Sequence, residues 1–169
     1  MRIFVLGAGG AGSLLAHLLA RQGHTVWCGD RDPERARRFL GKKSSIEIVP
    51  ANARNYWAIV RAARGANLIV NASPAVFNEI ILRAALRLRA HYLDLNAHLT
   101  RNPFKPEQYR FHKKFVAKNR AALICTGAAP SWYGKAGSSD RIWRHFAQIS
   151  ATSTFSPTSS SSASRRTTR

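Results

Sequence analysis

The chain has 169 residues, 45% of them apolar, and carries 27 lysines and arginines against 8 acids, a formal net charge of +19. That length and apolar share support one domain of ordinary size with a real core. They exclude a bilayer span, because no apolar run approaches about 20 residues. The cations are spread along the chain, 21 of them in residues 1–130, without one basic run interleaved with aromatics. Arg35, Arg37 and Arg38 on one helix, and Arg83, Arg87 and Arg89 on another, read as solvated faces rather than a nucleic-acid surface.

In chain order, residues 2–6 form a short apolar strand and 11–22 a helix, closed by a turn at Gly23 and His24. A second strand covers 25–29. Asp32 then caps a helix with Pro33 at its first position, running to about Leu40. A β-branched third strand covers 45–49, a helix 55–64 ends at Gly65, and a fourth strand covers 67–71. A helix over 76–89, a strand over 91–95, a helix over 107–119 and a sixth strand over 121–125 complete the pattern. Strands alternating with helices of this length predict right-handed βαβ units on a parallel sheet, an α/β doubly wound Rossmann fold with strand order 3-2-1-4-5-6. Residues 1–130 form the dinucleotide-binding domain on this reading. Residues 131–169 form a non-globular, disordered tail, since 150–169 is nearly all Ser, Thr, Ala and Arg.

The first strand runs directly into Gly7-x-Gly9-x-x-Gly12. Gly7 permits the tight turn, Gly9 leaves room for a pyrophosphate against the backbone, and Gly12 lets helix and strand approach. Gly10 and Ala11 open the helix, whose free N–H groups and positive dipole end suit phosphates. Asp30, about 20 residues on, is placed to accept bonds from ribose hydroxyls. Arg31 follows it. The acid favours the free 2′-hydroxyl of NAD, the arginine the 2′-phosphate of NADP, and the pair alone decides neither. The six histidines have no metal spacing, and no catalytic residue is identified. Cys28 and Cys125 fall in separate strands as small buried residues, which suits a reducing cytoplasm. Residues 3–6 are too short an apolar run for a secretory leader.

Four stretches carry a family resemblance over residues 1–130: Val5-Leu6-Gly7-Ala8-Gly9-Gly10-Ala11-Gly12, Gly29-Asp30-Arg31-Asp32-Pro33-Glu34-Arg35-Ala36, Ala66-Asn67-Leu68-Ile69-Val70-Asn71-Ala72-Ser73-Pro74, and His91-Tyr92-Leu93-Asp94-Leu95. Together they resemble the NADP-binding domain of the saccharopine dehydrogenase-like reductases. The resemblance implies an oxidoreductase that uses a nicotinamide dinucleotide, NADP with NAD as the alternative, on an imine or carbonyl of an amino-acid-like substrate. It implies that Asn71, Ala72 and Ser73 let the chain approach ribose and phosphates; the other reading of these residues is a structural strand-to-helix turn. Asp94 either fixes the neighbouring loop or touches the cofactor. Oligomerisation is left open. A second functional class, a stand-alone regulatory NAD(H)-sensing domain of the potassium-transport type, shares the glycine turn and the acid, but its fourth strand is usually followed by an acidic turn.

The resemblance breaks after Thr126-Gly127-Ala128-Ala129-Pro130. The family continues with glycine and an apolar residue into a substrate domain, whereas this chain reads Ser131-Trp132-Tyr133-Gly134. Codons TCC-TGG-TAT-G read one base later give Pro-Gly-Met, which restores the family pattern. The expectation is a frameshift near Pro130 and a chain that lacks its substrate domain; a divergent tail on a stand-alone domain is the alternative.

Overall fold

The computed structural model describes residues 1–96 and 107–124. The expected strand end at Cys125, the stretch 126–130 and the tail 131–169 lie outside the described residues. The elements in order are β1 (Arg2–Leu6), α1 (Gly10–Arg21), β2 (Thr25–Asp30), α2 (Pro33–Leu40), β3 (Glu47–Pro50), α3 (Tyr56–Ala62), β4 (Leu68–Asn71), a 3-10 turn (Ala75–Phe77), α4 (Asn78–Leu88), β5 (His91–Asp94), a second 3-10 turn (Glu107–Phe111), α5 (His112–Val116) and β6 (Ala122–Leu123). All pairings are parallel, in the order β3-β2-β1-β4-β5-β6. This is the doubly wound α/β order expected from the sequence.

Ile3, Phe4, Val5 and Leu6 are all buried, as are the four residues of β4. A central strand covered on both faces must be apolar throughout rather than alternating. Phe4, Leu6, Ile69 and Tyr92 pack with Ile59, Leu82, Ala85 and Phe115 in one core cluster against α3, α4 and α5. Cys28 is fully buried. Burial, with the Asp30 charge beside it, pushes its thiol up to about 12, so it is an inert core thiol. Pro50 ends β3 at the sheet edge, where its missing N–H is tolerated.

The helix starts follow their local chemistry. The Asp32 carboxylate accepts the Arg35 N–H at 3.0 Å, with Pro33 next to it, and the Asn55 side chain accepts the Ala58 N–H at 3.0 Å. Two expected helices are divided. Residues 75–77 form a 3-10 turn before α4 because Asn78 is drawn inward to bond Asn71 and the Asn96 carbonyl. The expected helix over 107–119 begins as a 3-10 turn, and after α5 the chain turns at Asn119 (φ 51), where the Arg120 N–H reaches back to the Phe115 carbonyl.

Candidate dinucleotide site

The site stands at the carboxyl ends of β1, β2, β3 and β4. Gly7 leaves β1 at φ 96, and a Cβ there would lie 2.9 Å from the Ala72 carbonyl and the Ser73 nitrogen. Only glycine combines that left-handed backbone with that clearance. Beneath the turn, a Cβ on Gly12 would sit 1.8 Å from the Gly7 oxygen, so its bare Cα lets α1 close on the strand. Gly9 differs from both. Its φ is −75, open to any residue, and a Cβ there would meet no protein atom within 4 Å. The packing of the fold does not require a glycine at position 9.

Helix α1 begins at Gly10 with no side-chain cap and no acid in its first turn. The N–H groups of its first turn have no intrahelical partner and face outward at the positive end of the helix dipole. Gly10 and Ala11 are exposed there.

Asp30 is buried at the end of β2. Its Oδ2 accepts the Ala8 N–H at 2.9 Å and its Oδ1 accepts the Asp32 N–H at 3.0 Å. The carboxylate therefore clasps the glycine turn to the β2 exit before it does anything else. Each oxygen keeps a further lone pair for a ligand hydroxyl.

A cleft of about 470 Å³ opens in front of the turn, walled by Gly7, Gly9, Asp30, Arg31, Ala72 and Ser73. It brings together most of the site residues expected from the sequence. Gly12 supports the turn from below, and Asn71 stands behind it, 1% exposed. The Asn71 amide nitrogen donates to Asn78 Oδ1 (2.7 Å) and Tyr92 Oη (3.1 Å), while its oxygen accepts from the Ser73 N–H (3.0 Å) and hydroxyl (2.6 Å). Tyr92 Oη in turn donates to Asp94 Oδ2 at 3.0 Å. Asn71 thus shapes the loop that presents Ala72 and Ser73 to the cleft, and Asp94 is tied to the same buried network.

The cleft also holds residues that the motif reading passed over. Arg35 and Arg54 line it beside Arg31, with Asn52, Val76 and Phe77. The Arg54 guanidinium lies 5.8 Å from the Phe77 ring centroid. One of the arginines expected to be solvated is corrected, Arg37; Arg35 is exposed as expected and borders the cleft. Arg35, in the first turn of α2, and Arg31, just before that helix's N-cap, both line the cleft, while Arg37 turns inward to the Ser44 and Ile46 carbonyls at 3.3 Å. Arg54 follows β3, and the rule that ligands gather beyond all strand ends is what would have found it.

The donor set fits a 2′-phosphorylated dinucleotide. Bare glycine backbone and an uncapped helix N-terminus suit a pyrophosphate, and Arg31, Arg35 and Arg54, which line the same cleft, offer the planar donors that a ribose phosphate needs. Among the described residues no group of three or more His, Cys, Asp and Glu could hold a metal, and no helix is long and apolar enough to cross a membrane.

The family model described as the saccharopine dehydrogenase NADP binding domain matches residues 3–123. Over 80 residues the chain is 39% identical to glycerol-3-phosphate dehydrogenase [NAD(P)+] of Chlorobium phaeobacteroides, covering 44% of this chain and 24% of that protein. Among solved structures, it is similar to the apo form of a saccharopine dehydrogenase (L-Glu forming) from Saccharomyces cerevisiae. The TM-score is 0.62 at 14% identity, over 73% of this chain and 26% of that one. It is also similar to a UDP-glucose 4-epimerase of Thermus thermophilus in complex with NAD, at TM-score 0.56 and 12% identity, over 73% and 54% of the two chains. The chain thus spans about a quarter of the length of the curated relative and of the yeast enzyme, and these structural likenesses speak for the fold.

Proposed function

The chain belongs to the saccharopine dehydrogenase NADP-binding domain family, with NADP(H) as its cofactor, and from that we propose that it is the cofactor-holding part of an oxidoreductase acting on an imine or carbonyl of an amino-acid-like substrate. The observation that carries the cofactor assignment is Gly9, a glycine that its own fold does not need, on the wall of a cleft edged by Arg31, Arg35 and Arg54. Gly7, Gly9, Gly10, Ala11 and Gly12 form the pyrophosphate cradle. Asp30 holds that cradle shut against β2, and the three arginines take the 2′-phosphate. Ala72 and Ser73 keep the opposite wall low. The bound cofactor supplies the hydride chemistry; the protein supplies orientation and field. The family match does not favour the regulatory, potassium-transport type of domain. A cytoplasmic location and a substrate domain outside this chain belong to the same proposal, the latter supported by the quarter-length coverage of the relatives.

The test is calorimetric titration with NADPH and NADH. Arg31→Ala should weaken NADPH more than NADH by about 1–3 kcal/mol, the scale of a charge-assisted hydrogen bond. Asp30→Ala, if the carboxylate is a clasp, should weaken both cofactors alike and lower the melting temperature. Loss of NADH binding alone would instead make Asp30 the ribose acceptor. The unmodified chain should bind NADPH without oxidising it in the presence of imine or keto-acid substrates. Turnover at an ordinary enzymatic rate contradicts the need for a further domain.

A further inference from the structure

A second hollow, shallow and about 550 Å³, opens on the outer surface of the helix layer. Its cations come from two places in the chain: Arg83, Arg87 and Arg89 on α4 and just after it, and Lys114 and Lys118 on α5 and just after it. The sequence gives Arg83, Arg87 and Arg89 as a solvated helix face, and all three are exposed. The fold adds that this face meets a second basic face across one depression. No acid lines it. Among the described residues, Arg83, Arg87 and Lys118 make no side-chain hydrogen bond or ion pair, and the ion pair there, Arg110 with Glu79, lies outside the hollow.

Arg83 with Arg87 and Lys114 with Lys118 are like charges four residues apart, which repel on one face. Arg89 holds φ 54 at the end of α4, a position where glycine or asparagine is the unstrained choice. The C-terminal end of α4 attracts Arg87, and Glu79 stands four residues before Arg83, but the hollow itself has only cations among its charged lining residues.

We propose that the hollow binds the sugar–phosphate backbone of a nucleic acid without reading its sequence. An open, shallow shape suits a polymer passing over it. Arg83 and Arg87 stand about 6 Å apart along α4, four residues at about 1.5 Å each. A duplex presents one negative charge roughly every 1.7 Å of its axis, so such a row finds phosphates in any register. An acidic polypeptide would have to place its carboxylates at a matching spacing. Among the described residues, the two rings that line the hollow are both engaged. Phe111 is buried with the Lys114 ammonium 5.5 Å from its centroid, and Tyr56 packs edge-on against Trp57. The net charge of +19 draws polyanions toward the chain from a distance. The hollow lies by the carboxyl-terminal half of α4, away from the strand ends that hold the dinucleotide, so the two ligands do not compete.

The experiment is fluorescence anisotropy of a labelled, random-sequence DNA duplex titrated with the full chain over a range of salt concentrations. Each lost phosphate contact lowers the slope of log affinity against log salt by about 0.9. Arg87→Ser with Lys114→Ser should therefore flatten the slope by about two. Arg83→Gln with Lys118→Gln should do the same. Arg38→Ser with Lys42→Ser, equal in charge removed but distant from the hollow, should leave the slope as it was. Circular dichroism melting checks that all variants are folded, independently of cofactor binding. Equal slopes for hollow and control variants, or no duplex binding by the unmodified chain, overturn the proposal. So does displacement of the duplex by poly-glutamate as readily as by unlabelled duplex at equal charge, which would assign the hollow to an acidic polypeptide.

Discussion

The carboxyl edge of the sheet is built in two ways. At the exits of β1 and β2, donors and cations face outward: the first turn of α1 is uncapped, Gly9 stands open, and Arg31 and Arg35 border the cleft. At the exits of β4 and β5 the polar groups face one another, with Asn71, Asn78, Tyr92 and Asp94 linked in a buried chain of hydrogen bonds. The first region keeps its hydrogen-bonding capacity for a ligand. The second spends its capacity on holding a loop in place, so that Ala72 and Ser73 form a firm wall. Asp30 is the hinge between these styles: it lies in the ligand-facing half, yet both its oxygens are bonded to backbone. A carboxylate at this position is compatible with NADP, because both its oxygens are engaged by backbone N–H groups and three arginines line the cleft beside it.

The comparison can be broken first at Gly12. Gly12→Ala puts a Cβ within 1.8 Å of the Gly7 oxygen, an overlap the backbone must move to escape. Overpacking of this kind costs about 1–3 kcal/mol or more, so thermal melting should show the largest stability loss of these variants, with NADPH binding lost as the turn opens. A variant as stable as the parent would mean that the turn is not packed as described.

The buried network is tested next. Tyr92→Phe removes the hydroxyl shared by Asn71 and Asp94 and takes one buried hydrogen bond from each. The expected loss is about 1–3 kcal/mol of stability by chemical denaturation. NADPH affinity should change far less, since the hydroxyl does not face the cleft. A large affinity loss at unchanged stability would move this network into the binding site.

The smallest effect concerns pH. Burial, reinforced by the Arg120 charge, holds His91 below its ordinary value of 6.5. Its Nδ1 faces the Ala121 N–H at 3.1 Å, which joins β5 to β6. The unfolded chain takes up the proton first, so this stabilising contribution is present above pH 6.5 and is lost as the pH falls below it. Melting temperature should fall modestly between pH 7.5 and 5.5, and His91→Asn should reduce that dependence. An unchanged pH dependence in the variant rules His91 out as its source.

Much of this architecture was legible because it is written in near neighbours. Strand and helix alternate at readable lengths, Asp32-Pro33 marks a helix start, and glycines at 7, 9 and 12 directly follow a strand. What stayed hidden depends on convergence. Arg54 belongs to no motif and reaches the cleft only because β3 ends beside β2. Asp30 reads as a ribose acceptor, but its second task, holding the Ala8 N–H at 2.9 Å, is in no motif. Asn78 looks like an ordinary early helix residue, yet its amide bridges two strand exits and tightens the turn before α4. Gly29 resembles a routine strand residue, but a Cβ there would lie 2.4 Å from the Phe4 ring.

The most direct measurement is NADPH titration of Gly9→Val, followed by calorimetry, with circular dichroism melting alongside. Position 9 has an ordinary backbone and no protein atom within 4 Å of its would-be Cβ, so the variant should fold and melt like the parent. Its branched side chain should fill the space where the pyrophosphate meets the backbone, and NADPH binding should be lost. A folded Gly9→Val chain that binds NADPH with near-parental affinity would contradict the placement of the cofactor at this turn.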